Sequence, residues 1–395
     1  MAVTFAKRMS KLGRSEIREI LKLTTKPEVI SFAGGLPAPE LFPVEDIKKV
    51  TNDLLDECGE QVLQYSTTEG YKPFRDIIAE RMNDKFQTKV TGDDITIMTG
   101  SQQALDFAGK IFIDEGDVVL LESPSYMGAL NAFKPYGPQY VEIAMDEEGL
   151  IPEELEKALQ TTERVKFLYI IPDFQNPTGR TLSVERRKKI MEIANKYDLP
   201  IIEDNPYGEL RFKGERPPAL KSFDTKGLVI YHGTFSKIFT PGLRLGWVCA
   251  SPQILDQFII IKQASDLHTS EFNQRITYEY MVKYDIDKHV EKIIDLYRKR
   301  REVIIKAMQD EFPPSVKFTL PDGGLFLWVT LPEGIDGVAL LEKSLKENVA
   351  FVPGAPFYPN SKKKNTMRLN FSNMPEDRIV EGIKRLAKVM KEELK

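Results

Sequence analysis

The stretch LVIYHGTFSKIFTPGLRLGWVCA, residues 228–250, holds two short apolar segments separated by a loop that carries Lys237. The β-branched and aromatic residues on each side of the loop predict two strands. Within the loop, Ser236 precedes the lysine and Arg244 follows seven positions later, with Pro241 and Gly242 between them. A solvated surface lysine has no need of such apolar and hydroxylic neighbours. The loop is therefore a candidate functional site between two strands.

Short apolar segments of the same kind recur along the preceding part of the chain. They are ITIMTG (95–100), VVLLESP (118–124), YVEIAM (140–145), FLYIIP (167–172) and PIIEDN (200–205). Amphipathic segments lie between several of them, and SVERRKKIMEIANKYD (183–198) places apolar residues at helical spacing after Ser183, a plausible N-cap. Alternation of strand and helix predicts an α/β fold with seven strands in a mostly parallel sheet, covered by helices on both faces.

The rest of the chain divides into an arm and a smaller domain. Residues 1–41 end in a Gly- and Pro-rich stretch that predicts an irregular N-terminal arm joining the small domain. Residues 42–285 form the predicted large domain. Residues 286–395 combine long helical segments with the short strands around 316–332, 349–357 and 366–372, and this predicts a small C-terminal α+β domain.

Composition excludes several classes of function. The net charge is −4 and 42% of the residues are hydrophobic, so we expect a well-packed core and no nucleic-acid partner. We expect no membrane association, because no apolar run is long enough to span a bilayer. The chain lacks a signal-peptide pattern, and its two cysteines do not suggest a disulfide framework, which favours a cytoplasmic location. Its three histidines lack metal-ligand spacing, so we expect no metal.

Polar residues follow four of the predicted strands, where ligands bind in open parallel sheets. These residues are Ser101 and Gln102, Asn176, Asp204 with Tyr207, and Thr234 with Ser236 and Lys237. Each group has an ordinary alternative: a serine N-cap, an Asn-Pro turn, or an acid that caps the next turn. Four such groups at one edge of a sheet favour a binding site.

Taken together, these motifs resemble those of fold-type I aminotransferases that depend on pyridoxal 5′-phosphate. The resemblance covers essentially the whole chain. It rests on the lysine loop GTFSKIFTPGLRLGW, and on NPTG and EDNPY before it and TMRLNF after it, which occur in the family's order. The segments SFAGGLPAPELFP and YSTTEGYKPFRD are similar to the branch containing α-aminoadipate and kynurenine (aromatic) aminotransferases, which is related to the effector domains of MocR-type regulators.

The resemblance implies roles for the residues around the cofactor ring. Lys237 would form the internal Schiff base and move the proton between the substrate Cα and the cofactor. Asp204 would keep the pyridine nitrogen protonated, while Asn176 and Tyr207 would hydrogen-bond the phenolic oxygen. Tyr126 would stack on the ring, or alternatively pack on the core as a turn tyrosine.

The resemblance also implies a cradle for the cofactor phosphate. A helix start and several side chains would hold it: Ser101, Gln102, Thr234, Ser236 and Arg244. Tyr65 resembles the tyrosine that reaches the phosphate of the neighbouring subunit, which implies a homodimer with shared active sites.

Three further residues are implied for the substrate. Arg368 would bind the α-carboxylate as a bidentate fork, close to Asn176. The backbone at Gly35 would approach the same carboxylate, although a turn glycine is an equal alternative. Arg18 would meet an acidic substrate side chain and swing away from apolar ones, or it would simply face water.

The sequence thus predicts an aminotransferase that moves an amino group between an L-amino acid and 2-oxoglutarate by a ping-pong mechanism. The amino acid would be 2-aminoadipate-like, aromatic or aliphatic. A cofactor-sensing regulator is a second hypothesis, which the family pattern starting near residue 15 disfavours because it leaves no room for a DNA-binding domain. A third hypothesis keeps the cofactor and changes the reaction to β-elimination or decarboxylation.

Overall fold

A computed structural model of the chain describes residues 3–13, 26–361 and 363–394. In chain order its strands are β1 (Ile30–Ser31), β2 (Ile95–Met98), β3 (Val118–Glu122), β4 (Gln139–Ile143), β5 (Met145–Asp146), β6 (Gly149–Leu150), β7 (Val165–Ile170), β8 (Ile201–Asp204), β9 (Val229–Thr234), β10 (Gly246–Cys249), β11 (Lys317–Phe318), β12 (Phe326–Thr330), β13 (Val349–Ala350), β14 (Val352–Pro353) and β15 (Thr366–Asn370).

The α-helices within the described ranges surround these strands. They are α1 (Val44–Val62), α2 (Lys72–Phe86), α3 (Ser101–Phe112), α4 (Met127–Phe133), α5 (Pro152–Thr161), α6 (Val184–Tyr197), α7 (Pro252–Ser265), α8 (Glu271–Lys283), α9 (Ile286–Glu311), α10 (Gly337–Lys346) and α11 (Glu376–Glu393). Short 3-10 turns, such as Gly92–Asp94 and Leu220–Phe223, join some of the elements.

A seven-stranded sheet forms the centre of the molecule, in the order β2-β10-β9-β8-β7-β3-β4. Its strands pair in parallel, except that β10 runs antiparallel to both of its neighbours. Most of its strands are buried on both faces, as a sheet covered by helices on either side requires. The predicted α/β fold with seven strands is confirmed.

Local sequence explains the helix boundaries. Ser183 caps α6, and its side-chain oxygen accepts a hydrogen bond from the backbone N–H of Arg186, as the sequence predicts. The long helical stretch that begins near residue 271 is divided: α8 ends at Lys283, and Asp285 caps α9 by accepting from the N–H of Lys288. None of the helices in the described part of the chain is long and apolar enough to cross a membrane.

A second sheet, β11-β12-β15-β14, is antiparallel and lies in the C-terminal part of the chain. The arm reaches this part directly, because β1 pairs in parallel with β13 and Asn370 donates its backbone N–H to the carbonyl of Phe32 at 2.8 Å. The predicted division of the chain at residues 41/42 and 285/286 stays a prediction. The arm thus enters the C-terminal part and brings residues 32–38 toward the edge of the large sheet.

Candidate active site

The candidate site lies at the carboxyl edge of the large sheet. Strands β7, β8 and β9 are neighbours and run in parallel, so the loops that follow them emerge side by side. Those loops carry Asn176, Tyr207 and Lys237, while Asp204 and Thr234 are the last residues of their strands. The topology alone therefore gathers three of the four sequence-predicted groups.

Lys237 lies half-buried in the loop after β9. Its Nζ donates a hydrogen bond to the backbone carbonyl of Gly35 in the arm, at 2.8 Å. Desolvation, followed by the positive charges of Arg368 and Arg244, lowers the pKa of this lysine to about 8. The neutral, nucleophilic form of this amine is thus populated near physiological pH, where an ordinary lysine is almost fully protonated.

Asp204 ends β8 as a buried carboxyl group. Its Oδ2 accepts a hydrogen bond from the Tyr169 hydroxyl at 2.8 Å, whereas its Oδ1 is buried and has no partner. Desolvation raises its pKa to about 6, against the opposing effect of that hydrogen bond. The following turn is closed by Asn205, which accepts from the N–H of Gly208, so Asp204 is not the turn cap considered as an alternative.

A buried hydrogen-bonded chain links the large sheet to the C-terminal sheet. Arg368 on β15 donates from Nη1 to Asn176 Oδ1 and from Nη2 to the carbonyl of Ala33, both at 2.8 Å. Asn176 in turn donates from Nδ2 to the Tyr207 hydroxyl at 3.2 Å. Residues from the arm, the two strand-end loops and β15 therefore meet at one point.

The surroundings of Arg368 are apolar. Its guanidinium carbon lies 4.2 Å from the centre of the Phe326 ring and 5.3 Å from that of Phe357. Desolvation lowers its pKa to about 10, and its Nε is buried without a partner. A cation that is buried with unused N–H groups is well suited to bind a carboxylate.

The start of α3 lies against the side chain of Arg244. Gly100 occupies the N-cap position with φ 76° and ψ 161°, and no side chain caps the helix. The serine N-cap considered as an alternative is therefore wrong, because Ser101 is the first helical residue. A Cβ atom added at Gly100 would lie 2.4 Å from Nη2 of Arg244, so the guanidinium of the lysine loop reaches the helix start.

Thr234 and Ser236 form a small hydroxyl pair beside the lysine. The Thr234 hydroxyl lies 3.1 Å from Ser236 Oγ and 3.1 Å from the carbonyl of Leu245, and its oxygen accepts from the backbone N–H of Ser236 at 3.1 Å. Both residues are buried. They fix the conformation of the loop that carries Lys237.

The other predicted residues differ in how close they lie to this centre. Gln102 donates to the carbonyl of Gly128, and Tyr126 precedes α4 with its ring close to the same glycine. Tyr126 also contributes, after burial, to the raised pKa of Tyr207. Tyr65 is 80% exposed and packs edge-on against His268, outside this group. Arg18 lies outside the described residues, and its role stays a prediction.

Two buried groups behind the site were not singled out from the sequence. Tyr169 looks like a core residue of β7, yet its hydroxyl bonds Asp204. Glu122 at the end of β3 accepts from the N–H of Ile171 at 3.0 Å, and burial raises its pKa to about 8. The sequence could have indicated Glu122, because it is an acid at the end of an apolar strand segment, as Asp204 is. No group of three or more metal-ligating side chains occurs within the described residues.

Comparisons with known proteins agree with this geometry. Residues 27–386 match the family model described as Aminotransferase class I and II. The chain is 48% identical to aromatic-amino-acid aminotransferase 1 of Thermococcus litoralis over 99% of this chain and 95% of that protein. The chain belongs to the class I and II aminotransferase family, and the predicted enzyme class is confirmed.

Two solved structures share the fold over nearly the full length of both chains. A kynurenine aminotransferase of Pyrococcus horikoshii, solved with PMP, with KYN as substrate and KYA as product, is 44% identical with a TM-score of 0.95 over 99% of this chain and 98% of that one. LysN, the α-aminoadipate aminotransferase of Thermus thermophilus solved with N-(5′-phosphopyridoxyl)-L-leucine, is 41% identical with a TM-score of 0.92 over the same shares. The predicted branch of the family is confirmed.

Proposed function

We propose that the protein is a pyridoxal 5′-phosphate-dependent aminotransferase that moves an amino group between an L-amino acid and 2-oxoglutarate. The observation that carries this proposal is the half-buried Lys237, which follows β9 and bonds the arm at Gly35, while Asp204 ends the neighbouring β8. Burial lowers the pKa of this lysine to about 8, which favours its action as a nucleophile. Relatives that act on aromatic amino acids and α-aminoadipate support an amino donor that is aromatic, aliphatic or 2-aminoadipate-like.

The residues present fit this cofactor. Asp204 has a buried oxygen, Oδ1, with no partner, and a protonated pyridine nitrogen would supply the missing hydrogen bond and charge. At the other end, Gly100 leaves the helix start open toward Arg244, which suits a phosphate group. Asp204 ends a strand of the large sheet, and the start of α3 and the loop that carries Lys237 each follow one.

When bound, pyridoxal 5′-phosphate supplies a carbonyl that bonds to amino groups and a protonated ring that draws electrons from the substrate Cα. Asp204 would hold the ring nitrogen, and Tyr126 would pack on the ring. Asn176 and Tyr207 would orient the ring oxygen, because they already share a hydrogen bond.

Lys237 would act twice. Its Nζ, which now donates to the carbonyl of Gly35, would hold the cofactor through the carbonyl group that the cofactor supplies. Once an amino acid has taken its place, the freed amine would carry the proton from the substrate Cα, as general acid–base catalysis requires. The amino acid and the 2-oxo acid would occupy the same site in turn, which is the ping-pong order.

Arg368 would bind the α-carboxylate of both substrates. Two of its N–H groups bond Asn176 and Ala33, which holds the guanidinium in place and leaves Nε available. The rings of Phe326 and Phe357 exclude water from the cation and strengthen its attraction for a carboxylate. The carbonyl of Ala33 and the nearby Gly35 would make the arm one wall of the substrate site.

The phosphate would be held by the α3 start, including Ser101 and Gln102, and by the side chains of Thr234, Ser236 and Arg244. Tyr65 would serve the phosphate of a neighbouring subunit, and its 80% exposure within a single chain supports this. We therefore propose a homodimer with shared sites. We also expect a cytoplasmic location, which the free thiols of Cys58 and Cys249 suit.

The absorption spectrum of the purified protein tests this proposal. A visible band that bleaches with L-2-aminoadipate, glutamate or phenylalanine, and returns on addition of 2-oxoglutarate, is the expected result. Formation of many equivalents of keto acid without any 2-oxo acid acceptor would instead identify a lyase, and release of CO2 with formation of an amine would identify a decarboxylase. A chain that stays colourless after incubation with pyridoxal 5′-phosphate would overturn the proposal altogether.

A further inference from the structure

A buried lysine outside the catalytic group lies behind the start of α3. The side chain of Lys262 on α7 is fully buried, and its Nζ donates to Asp266 Oδ1 at 3.0 Å and to Gln103 Oε1 at 2.9 Å. Asp266 also accepts from Gln103 Nε2 at 2.7 Å and from the Thr99 hydroxyl at 3.0 Å. We call Thr99, Gln103, Lys262 and Asp266 the Lys262 cluster.

The hydrogen bonds of the Lys262 cluster hold the chain on both sides of Gly100. Thr99 comes immediately before this glycine, and its N–H donates to Gln103 Oε1 at 2.9 Å, which ties the end of β2 to the first turn of α3. The Thr99 hydroxyl lies 3.1 Å from that of Thr269, whose oxygen also lies 3.3 Å from the carbonyl of Ile97. The orientation of the exposed N–H groups at the helix start is thus fixed from behind by charged and hydroxyl groups.

Packing alone does not account for a charged pair in this place. Removing an ammonium group from water is costly, and a well-packed apolar pair often stabilises a fold at least as well. Burial lowers the pKa of Lys262, although its bonds to Asp266 oppose this. What the charged groups provide, and an apolar pair would not, is directional hydrogen bonding that sets the geometry of Thr99 and Gln103.

We infer that the Lys262 cluster is a set of positioning residues that holds the α3 start in the geometry needed to bind the cofactor phosphate. The inference rests on the proposed function, because it assumes that this helix start receives the phosphate. The cluster acts through backbone groups and touches neither the ring nor the substrate. Its loss would therefore weaken the binding of the phosphate and leave the chemistry of the bound cofactor unchanged.

The test compares pyridoxal 5′-phosphate with pyridoxal, which lacks the phosphate, as ligands of the full-length apoenzyme. We expect Asp266→Ala to weaken binding of pyridoxal 5′-phosphate about tenfold, because three hydrogen bonds to a charged acceptor are lost. Binding of pyridoxal should not change. With cofactor at saturation, kcat and the KM for the amino acid should match those of the wild type.

A second variant and a matched control distinguish the expected effect from misfolding. Thr99→Val removes one hydroxyl at nearly constant volume and should weaken binding of the phosphate-bearing ligand about threefold. The control is Asp310→Ala, which breaks an exposed pair of the same i,i+4 spacing with Lys306 on α9 and should have no effect.

The outcomes separate this inference from the proposed function. Equal losses for both ligands would point to general structural damage and overturn the inference. Suppose that the wild type binds pyridoxal 5′-phosphate more tightly than pyridoxal, and that Thr99→Val and Asp266→Ala bind it as tightly as the wild type does. That result would overturn this inference and leave the proposed function intact. A wild-type protein that binds the two ligands equally would overturn the phosphate cradle itself.

Discussion

At the scale of single residues, burial shifts the pKa values of two side chains of the site in opposite directions. Desolvation lowers the pKa of Lys237 to about 8 and raises that of Asp204 to about 6. Both shifts have the same cause, since an apolar environment disfavours any uncompensated charge. The lysine becomes a nucleophile, and the acid is left in need of a cation. A protonated pyridine would meet the second need.

The first prediction concerns the pH dependence of cofactor attachment. The neutral fraction of Lys237 rises as the pH rises through about 8, so the rate of attachment to the apoenzyme should rise over the same range and then level off. Stopped-flow absorbance over a pH series measures this rate. Arg368→Met should move the midpoint upward, because it removes a positive charge, and Lys237→Ala should show no attachment. A midpoint near 10.5, the ordinary lysine value, would contradict the prediction.

The second prediction concerns substrate carboxylates. Arg368→Ala should lower kcat/KM about a hundredfold for every amino acid, because a desolvated carboxylate loses its partner. Steady-state kinetics with aromatic, aliphatic and aminoadipate donors provide the measurement. A primary amine without a carboxylate serves as the control and should react equally slowly with both proteins. A loss confined to one class of amino donor would show that Arg368 contacts the side chain of the substrate instead of its α-carboxylate.

Sequence patterns predict single residues only where chemistry and position coincide. Lys237 and Asp204 stand out because they are polar residues at the ends of apolar segments. Tyr169 does not, because a tyrosine inside a strand resembles a core residue, and only the register of β7 against β8 brings its hydroxyl to Asp204. The contact of Lys237 with Gly35 spans 202 positions of sequence, and no local pattern encodes it.

At the scale of elements, the junction between β2 and α3 is the most constrained part of the site. The chain turns through Gly100 at φ 76° and ψ 161°, a region open essentially to glycine alone. Arg244 approaches this turn from the lysine loop, and its own φ is 55°. The guanidinium of Arg244 therefore fits against this turn only when position 100 has no side chain.

The third prediction tests this junction. Gly100→Ala should lower the free energy of unfolding by about 2 kcal/mol, because alanine is strained in that conformation and its Cβ would displace Arg244. It should also weaken cofactor binding. Thermal unfolding with and without pyridoxal 5′-phosphate measures both effects. Gly59→Ala is the matched control, since Gly59 lies in α1 with open space around it. Equal melting temperatures for all three proteins would refute the strain argument.

Elements follow from sequence when they are long enough to carry a pattern. All seven strands of the large sheet are visible as apolar segments, because both faces of the sheet are covered. The two-residue strands β1 and β13 are too short for any periodicity, so the pairing that anchors the arm could not be predicted. The break at residues 284–285 was also hidden, because apolar residues continue at helical spacing across it.

At the scale of the whole molecule, the site joins three separate parts of the chain. The arm supplies two carbonyl groups, the large sheet supplies the lysine and the acid, and β15 supplies Arg368. A change in the position of β15 relative to the large sheet would alter the spacing between Arg368 and Asn176. Binding of the substrate carboxylate and the alignment of the ring would therefore depend on each other.

The fourth prediction concerns a second copy of the chain. If Tyr65 serves the neighbouring site, a mixture of Lys237→Ala and Tyr65→Ala subunits should regain activity that neither variant has alone. Mixed dimers would contain one site in which both residues are intact. The experiment refolds the two variants together and separately and compares their rates. Failure to complement, in a mixture shown by mass to contain mixed dimers, would place Tyr65 in its own subunit's site.

The hydrogen bond between the arm and β15 also has a consequence for folding during synthesis. Arg368 and Ala33 are separated by 335 positions, and β1 finds its partner β13 only late in the chain. During synthesis the strands of the large sheet can pair as they emerge, but the arm has no partner until β13 and β15 have left the ribosome. Until then its apolar residues Ile30 and Phe32 remain uncovered. Newly made chains should therefore depend on chaperones until residues 349–370 have emerged.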